Sequence, residues 1–246
     1  MNRVSFIFVG LLCTLAVSWW GLVLVPQFHL GSQQPVAVPG SSQTYPAPRL
    51  GLATRGQEVY RANGCFYCHT QQVRATGLAP EFQTTNAIVR YLGADIERGW
   101  GQRLSVARDY LRDQPVMIGS RRVGPDLTNI GMRRPNDPVQ ANLLWHLRHL
   151  YDPPSVAEGS AMPAHRFLFD QRRVQPGQSV NTNELAWVDL DTRLEIVPKP
   201  EAVALAFYLF SLEVNVPLYE APLPAPPGVT ADLSASAAPL GNGPVP

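Results

Sequence analysis

Residues 4 to 25, VSFIFVGLLCTLAVSWWGLVLV, carry no charged side chain over 22 positions. At a rise of ~1.5 Å per residue the run makes ~33 Å of helix, enough to cross a hydrocarbon core of ~30 Å. A secretory signal is the competing reading, but its apolar region is usually ~7 to 15 residues and ends in a small-residue cleavage site. Here the run continues through Trp19 and Trp20 to Val25 without such a site, so an uncleaved anchor is expected over 1–25. Cys13 is preceded by Leu12, where a lipidated cysteine needs a small residue, and the apolar run goes on beyond it. It reads as an inert thiol. Arg3 precedes the span and no further arginine occurs until Arg49, so the N-terminus should stay inside and the bulk of the chain should lie outside the cytoplasm.

Composition then divides the remainder. Residues 26–48 are rich in Pro, Ser, Gln and Gly and read as a linker. Residues 222–246 are Pro/Ala-rich, with Asp232 as the one charge, and read as a disordered tail. That leaves 49–221 for one folded domain. The formal charge of +1 removes any bulk electrostatic case for nucleic acid. Lys199 is the only lysine; every other basic residue is arginine.

The domain reads as mainly helical. Leu52 to Asn63 places Leu52, Val59 and Tyr60 at helical spacing and stops at Asn63-Gly64, a C-terminal signal. Ala141 to Leu150 carries the stripe Leu143, Leu144, Leu147, Leu150. A third helix starts at Pro200, suited to a first turn, and runs to about Val214, with Val203, Phe207 and Phe210 able to share a face. Between them, the alternation in LAWVDL and RLEIV predicts a hairpin within 175–197.

The stretch GCFYCHTQQVR, residues 64 to 74, holds two of the three cysteines, three positions apart, with His69 directly behind the second. Such a pair serves a redox disulfide, half a zinc site, or thioether attachment of haem. Zinc needs about four ligands and there is no second cysteine pair. A thioredoxin-like pair opens a helix after a strand, whereas here a helix leads into the motif. Haem c fits best: Cys65 and Cys68 would tether the porphyrin and His69 would supply an axial nitrogen. For the sixth ligand Met162, in the turn-like EGSAMP, ranks first, then His165 or His149, and an open site last. Met117 and Met132 read as packing and His146 as a helix residue.

RRVGPDL, residues 121 to 127, has a use beside this motif. Gly124-Pro125 makes a rigid turn, and the Pro125 carbonyl could accept the hydrogen bond from the non-ligating nitrogen of His69. Arg121 and Arg122 could pair with haem propionates. From Arg98 to Arg134 the chain carries eight arginines against three aspartates. That span reads either as a solvated loop face or as a docking surface or propionate cradle.

GCFYCHTQQVR, WGQRLSVARDYLRDQP, GSRRVGPDLTNIGMR and WHLRHLYDPPSVAEGSAMP together resemble the membrane-anchored mono-haem cytochrome c subunit of cbb3-type cytochrome c oxidases, known as FixO or CcoO, over about 51–169. The resemblance implies a single N-terminal transmembrane helix followed by a class I-like cytochrome c domain with insertions. It implies one covalent haem c on Cys65 and Cys68, with iron held by His69 and Met162. It also implies a place on the periplasmic side of the cytoplasmic membrane, passing electrons from a di-haem cytochrome subunit to the haem-copper catalytic subunit. Trp100 to Tyr110 resembles the part packed on that large subunit, with a calcium ion involving Ser105 at the boundary. The chain departs from the family at Ala75, where a proline is usual, in AHRFLF, which has fewer aromatics, and in the long tail. EFQTTNAIVRYLGADIE reads as a local elaboration. Two other classes stay open: an independent membrane-tethered carrier, and the small subunit of a nitric oxide reductase. In each, the chain does no bond chemistry itself. Tyr60, Phe66, Leu127, Leu147 and Phe207 are the expected core.

Overall fold

The computed structural model of the protein describes residues 3–38, 40–49, 51–73, 103–133, 138–173, 185–189, 193–214 and 216–221. The expected elaboration EFQTTNAIVRYLGADIE, position 75, residues 100–102 and the tail from 222 lie outside them.

Helix α1 runs without a break from Arg3 to His29, 27 residues with a mean hydropathy of 2.2 and nothing packed on it; it is long and apolar enough to cross a membrane. It continues four residues past Val25 although Pro26 stands in the way. The turn Trp20–Leu24 is π-helical, and Val25 donates to the Trp20 carbonyl. A proline lacks the N–H for the ladder and its ring presses on the carbonyl four residues back. The wider turn just before Pro26 accommodates both, and Leu30 N–H then closes on Pro26 O at 2.8 Å.

Part of the segment expected to be a linker is folded. Strand β1 (Val36–Ala37) pairs antiparallel with β2 (Thr44–Tyr45), and Tyr45 is only 6% exposed. The reason lies in the arginine-rich segment. Arg103 and Asp109 form a buried two-point ion pair at 2.7 and 3.0 Å, the Tyr45 hydroxyl donates to Asp109 Oδ1 at 2.7 Å, and Arg103 Nε donates to Val216 O at 2.7 Å. Arg108 reaches Glu220 and the Gln34 carbonyl, Arg112 the Pro46 carbonyl, and Arg49 pairs with Asp113. The arginines described between 103 and 112 thus have intramolecular partners, Arg103 buried, Arg108 half-buried and Arg112 exposed. They fasten the chain just after the anchor, and the chain after the last helix, to the domain. Fork-shaped donors can satisfy several acceptors at once where those segments lack regular pairing.

The core sits where α2 (Leu52–Ala62) crosses α4 (Pro200–Phe210), with α3 (Val139–Tyr151) against α4. Gly56 makes the crossing close: a Cβ there would stand 1.9 Å from the Ala204 carbonyl oxygen. One turn on, the Tyr60 and Tyr208 rings meet at 5.4 Å. Leu143, Leu147 and Leu150 form the buried stripe of α3 as the periodicity predicts, with Leu144 half-buried. On α4 the expected face is displaced. Ala204, Leu205, Tyr208 and Leu209 are buried, while Val203, Phe207 and Phe210 sit half-buried at the edge, because close approach of two backbones selects small residues. The helix also ends at Phe210, short of Val214; Asn129 Oδ1 takes the Val214 N–H at 3.0 Å and Gly131 N–H takes the Leu212 carbonyl at 3.1 Å.

A three-stranded antiparallel sheet caps the end of α3. Strand β5 (Leu194–Pro198) lies between β3 (Phe169–Arg173) and β4 (Trp187–Asp189), with Gln171 and Trp187 both opposite Ile196. The hairpin expected within 175–197 is β4–β5; β3 is an additional strand. Its Phe169 joins Tyr151 and Trp187 in an edge-to-face aromatic triplet with centroids 5.3 to 5.7 Å apart. Of the expected core, Tyr60, Leu127 and Leu147 are buried, and Phe66 and Phe207 pack on it from the side.

Candidate functional site

The thiol motif is set by how α2 ends. Asn63 caps the helix, and Gly64 takes a left-handed φ of 68°, a conformation glycine adopts without steric cost. The chain then reverses into a single 3-10 turn, Cys65–Tyr67, with Tyr67 N–H on Gly64 O (2.9 Å) and His69 N–H on Cys65 O (3.0 Å). Cys65 turns against the core beside Phe66, while Cys68 is exposed. Burial pushes the Cys65 thiol up to about 11. No disulfide joins any of the three cysteines, and Cys13 lies on the exposed surface of α1.

Residues 118–128 run alongside the motif. Gln71 N–H donates to Ile118 O, Ser120 N–H to Phe66 O, Gly124 N–H to Cys68 O and Leu127 N–H to Thr70 O, all at 2.8 to 3.1 Å. This ladder lays Gly124 flat on the His69 ring. A Cβ at 124 would be 2.3 Å from Cε1 and 2.7 Å from Nδ1. Nδ1 itself lies 2.8 Å from the Pro125 carbonyl oxygen, which fixes the tautomer with the proton on Nδ1 and the lone pair on Nε2. Gly119, at φ +82°, lies just as close to the His69 carbonyl, 2.2 Å from an added Cβ.

Met162 is half-buried and packs on the same core cluster as Cys65 and Phe66. Its segment is held at both ends: Ser160 Oγ lies 3.4 Å from Met162 N, and His165 N–H donates to Leu150 O at 2.7 Å. Burial lowers the His165 pKa, favouring neutral imidazole. His149 is stacked on Trp145, rings 5.0 Å apart and nearly parallel. His146 is buried in α3. Met117 is a core residue at 5% exposure, and Met132 lines a cavity elsewhere.

The two arginines expected at the propionates differ. Arg121 is exposed. Arg122 is turned inward, with Nε on Thr70 Oγ1 at 2.9 Å, Nη2 on Gln72 O at 2.5 Å, and Asp126 3.8 Å away. Ser105 is engaged with Val73 through both its Oγ and its N–H. Among the described residues no three His, Cys, Asp or Glu side chains converge as a metal site. A cavity of about 400 Å³ opens between residues 43–49 and 211–214, with Arg49, Tyr110, Thr128 and Glu213 in its wall. Gln71 of the 64–74 stretch lines it, but Cys65, Cys68 and His69 do not. Asp126 and Gly56 are the residues that sequence reasoning passed over. In the sequence Asp126 counts only as a charge of the arginine-rich span and a letter of the GPDL string, and Gly56 only as a glycine inside a helical pattern.

Fold and site together fit a chain with one membrane-length helix and one c-type haem motif: two thiols, an oriented imidazole and a glycine cradle beneath it. Consistent with this, the family model for the mono-haem subunit of cytochrome c oxidase, FixO, matches residues 1–196, and the chain belongs to that family. The family is one of membrane-anchored mono-haem cytochrome c subunits of the oxidase. No curated protein matches the chain.

Proposed function

We propose that this chain is the electron-relay subunit of a cbb3-type oxidase. Cys65 and Cys68 would hold one haem c through thioether bonds, with His69 Nε2 and Met162 Sδ as axial ligands in a class I-like cytochrome c domain. The domain would sit on the periplasmic side of the cytoplasmic membrane. It would accept electrons from a di-haem cytochrome subunit and hand them to the haem-copper catalytic subunit. When bound, the haem supplies a reversible one-electron couple, which His/Met ligation poises at high potential. The chain's own residues orient, enclose and tether.

The observation that carries this reading is the His69 arrangement: a ring laid on Gly124 with Nδ1 given to Pro125 O at 2.8 Å. That preparation has no use for a disulfide-exchange thiol pair, and it is what an axial imidazole requires. The arginine fastening of Gln34 and Tyr45 supports a fixed position next to the anchor over free shuttling. The test is purification of the full chain from membranes in mild detergent. The haem should resist acid–organic extraction, an oxygen-consuming haem-copper subunit should copurify, and Met162→Ala should abolish that oxidase activity while haem stays attached. Extractable haem, or a copurifying activity that consumes nitric oxide, would overturn the assignment.

A further inference from the structure

Next to the His69–Pro125 contact lies a carboxylate that the relay reading leaves without a role. Asp126 is 3% exposed. Its Oδ2 accepts from Thr70 Oγ1 at 2.5 Å and from Gln72 N–H at 2.9 Å, and its Oδ1 accepts from Thr128 N–H at 2.9 Å. Thr70 follows His69 in the chain and Asp126 follows Pro125. The carboxylate therefore joins the strand that carries the imidazole to the loop that carries its acceptor, one residue away from each. Arg122 closes the same ring from outside, bonding Thr70 Oγ1 and the Gln72 carbonyl.

A buried carboxylate needs several donors, and here they come from both segments at once. Without the carboxylate, the backbone would join the two segments here only on either side of the Pro125–Asp126 peptide, by Gly124 N–H on Cys68 O at 2.9 Å and Leu127 N–H on Thr70 O at 2.8 Å, with Arg122 bridging from outside. Neither of those backbone bonds is made by residue 125 or 126, so the Pro125 carbonyl between them can still tilt. The added bonds through Asp126 remove that freedom.

We propose that Asp126, through Thr70, is a positioning residue for the axial imidazole: it sets the distance between His69 Nδ1 and the Pro125 carbonyl and thereby the electron density that His69 offers to iron. The inference rests on the relay reading, in which His69 is the ligand. A strong Nδ1–H to carbonyl bond raises the basicity of the ligating nitrogen and favours ferric iron. Loosening it should raise the reduction potential.

The experiment uses the full haem-loaded chain in detergent, with Asp126→Asn and Thr70→Val, and reads two quantities. One is the reduction potential. The other is the solvent exchange rate of the His69 ring N–H, followed by proton magnetic resonance. Thr70→Val changes no charge, so it separates positioning from a simple loss of negative charge near iron. Both variants should shift the ferric-to-ferrous ratio at fixed ambient potential about tenfold toward ferrous, which for a one-electron couple is about 59 mV. Both should also speed ring N–H exchange about tenfold or more. A shift with Asp126→Asn alone, with exchange unchanged in both, would overturn the proposal and leave charge as the only effect. Should Asp126→Asn fail to accumulate, Thr70→Val decides by itself: an unchanged potential and unchanged exchange overturn it. If the unaltered chain shows no ring N–H of a haem-bound histidine, the relay reading fails instead.

Discussion

Replacing Asp109 by alanine is the sharpest test of how this domain is held to its anchor. Arg103 and Asp109 have side chains 1% and 2% exposed, so both charges have left water almost entirely. Their two contacts at 2.7 and 3.0 Å, with Tyr45 and the Val106 N–H also on the carboxylate, repay that desolvation only while every partner is present. In Asp109→Ala the Arg103 guanidinium keeps Val216 O, Leu104 O and the Tyr45 hydroxyl, but its counter-ion is gone. Breaking such a pair costs about 3 to 5 kcal/mol. For a domain of this size that is a fall in Tm of roughly 6 to 20 °C. The assay is urea and thermal unfolding of the full chain in detergent, followed by helical circular dichroism and by haem absorbance. Arg103→Met/Asp109→Leu should lose much less than either single change, since an apolar pair of similar volume needs no solvation. A loss below about 1 kcal/mol in Asp109→Ala, the range of an exposed pair, would refute the burial argument. So would a double variant as unstable as the summed singles.

Two further outcomes follow from the same structure. Gly124→Ala puts a methyl 2.3 Å from His69 Cε1, so the ring must tilt and give up the Pro125 contact; overpacking of this kind costs about 1 to 3 kcal/mol, and an altered visible spectrum with lowered haem retention is expected, whereas an unchanged spectrum would show that the ring does not rest there. Glu213 is exposed by surface area but stands in the cavity wall, where partial desolvation raises its pKa; the folded state therefore binds a proton that the unfolded chain releases, and the small stability from this group, present at acid pH, is lost as pH rises past the ordinary glutamate range. Glu213→Gln should therefore unfold at a higher temperature than the parent at neutral pH and at the same temperature near pH 4, a sign reversed if Glu213 has a counter-ion.

How much of this was legible in the chain depends on the range over which each signal acts. The end of α2 at Asn63-Gly64, the start of α4 at Pro200, the leucine stripe of α3 and the pairing of β4 with β5 are local: caps, ring constraints and side-chain period are written within a few residues. The arginine span was legible as charge and illegible as structure. Asp109 is six residues from Arg103, but its other acceptors, Tyr45 and Val216, lie 58 and 113 positions away, and nothing within a short window marks them as neighbours. Likewise β3 became a strand because Phe169 had Tyr151 and Trp187 to pack on, and FDQRR by itself carries little alternation.

By itself the sequence determined the membrane-length helix, the thiol pair with its histidine, and the family. Each rests on chemistry that composition and spacing specify whatever the chain does elsewhere. Only the tertiary structure decided that Gly124 lies flat beneath His69, that Asp126 joins the His69 segment to the Pro125 loop, that Gly56 is where the helices cross, and that part of the supposed linker is bolted down. Those depend on contacts between residues fifty or more positions apart, whose free energy exists only once the intervening chain has closed.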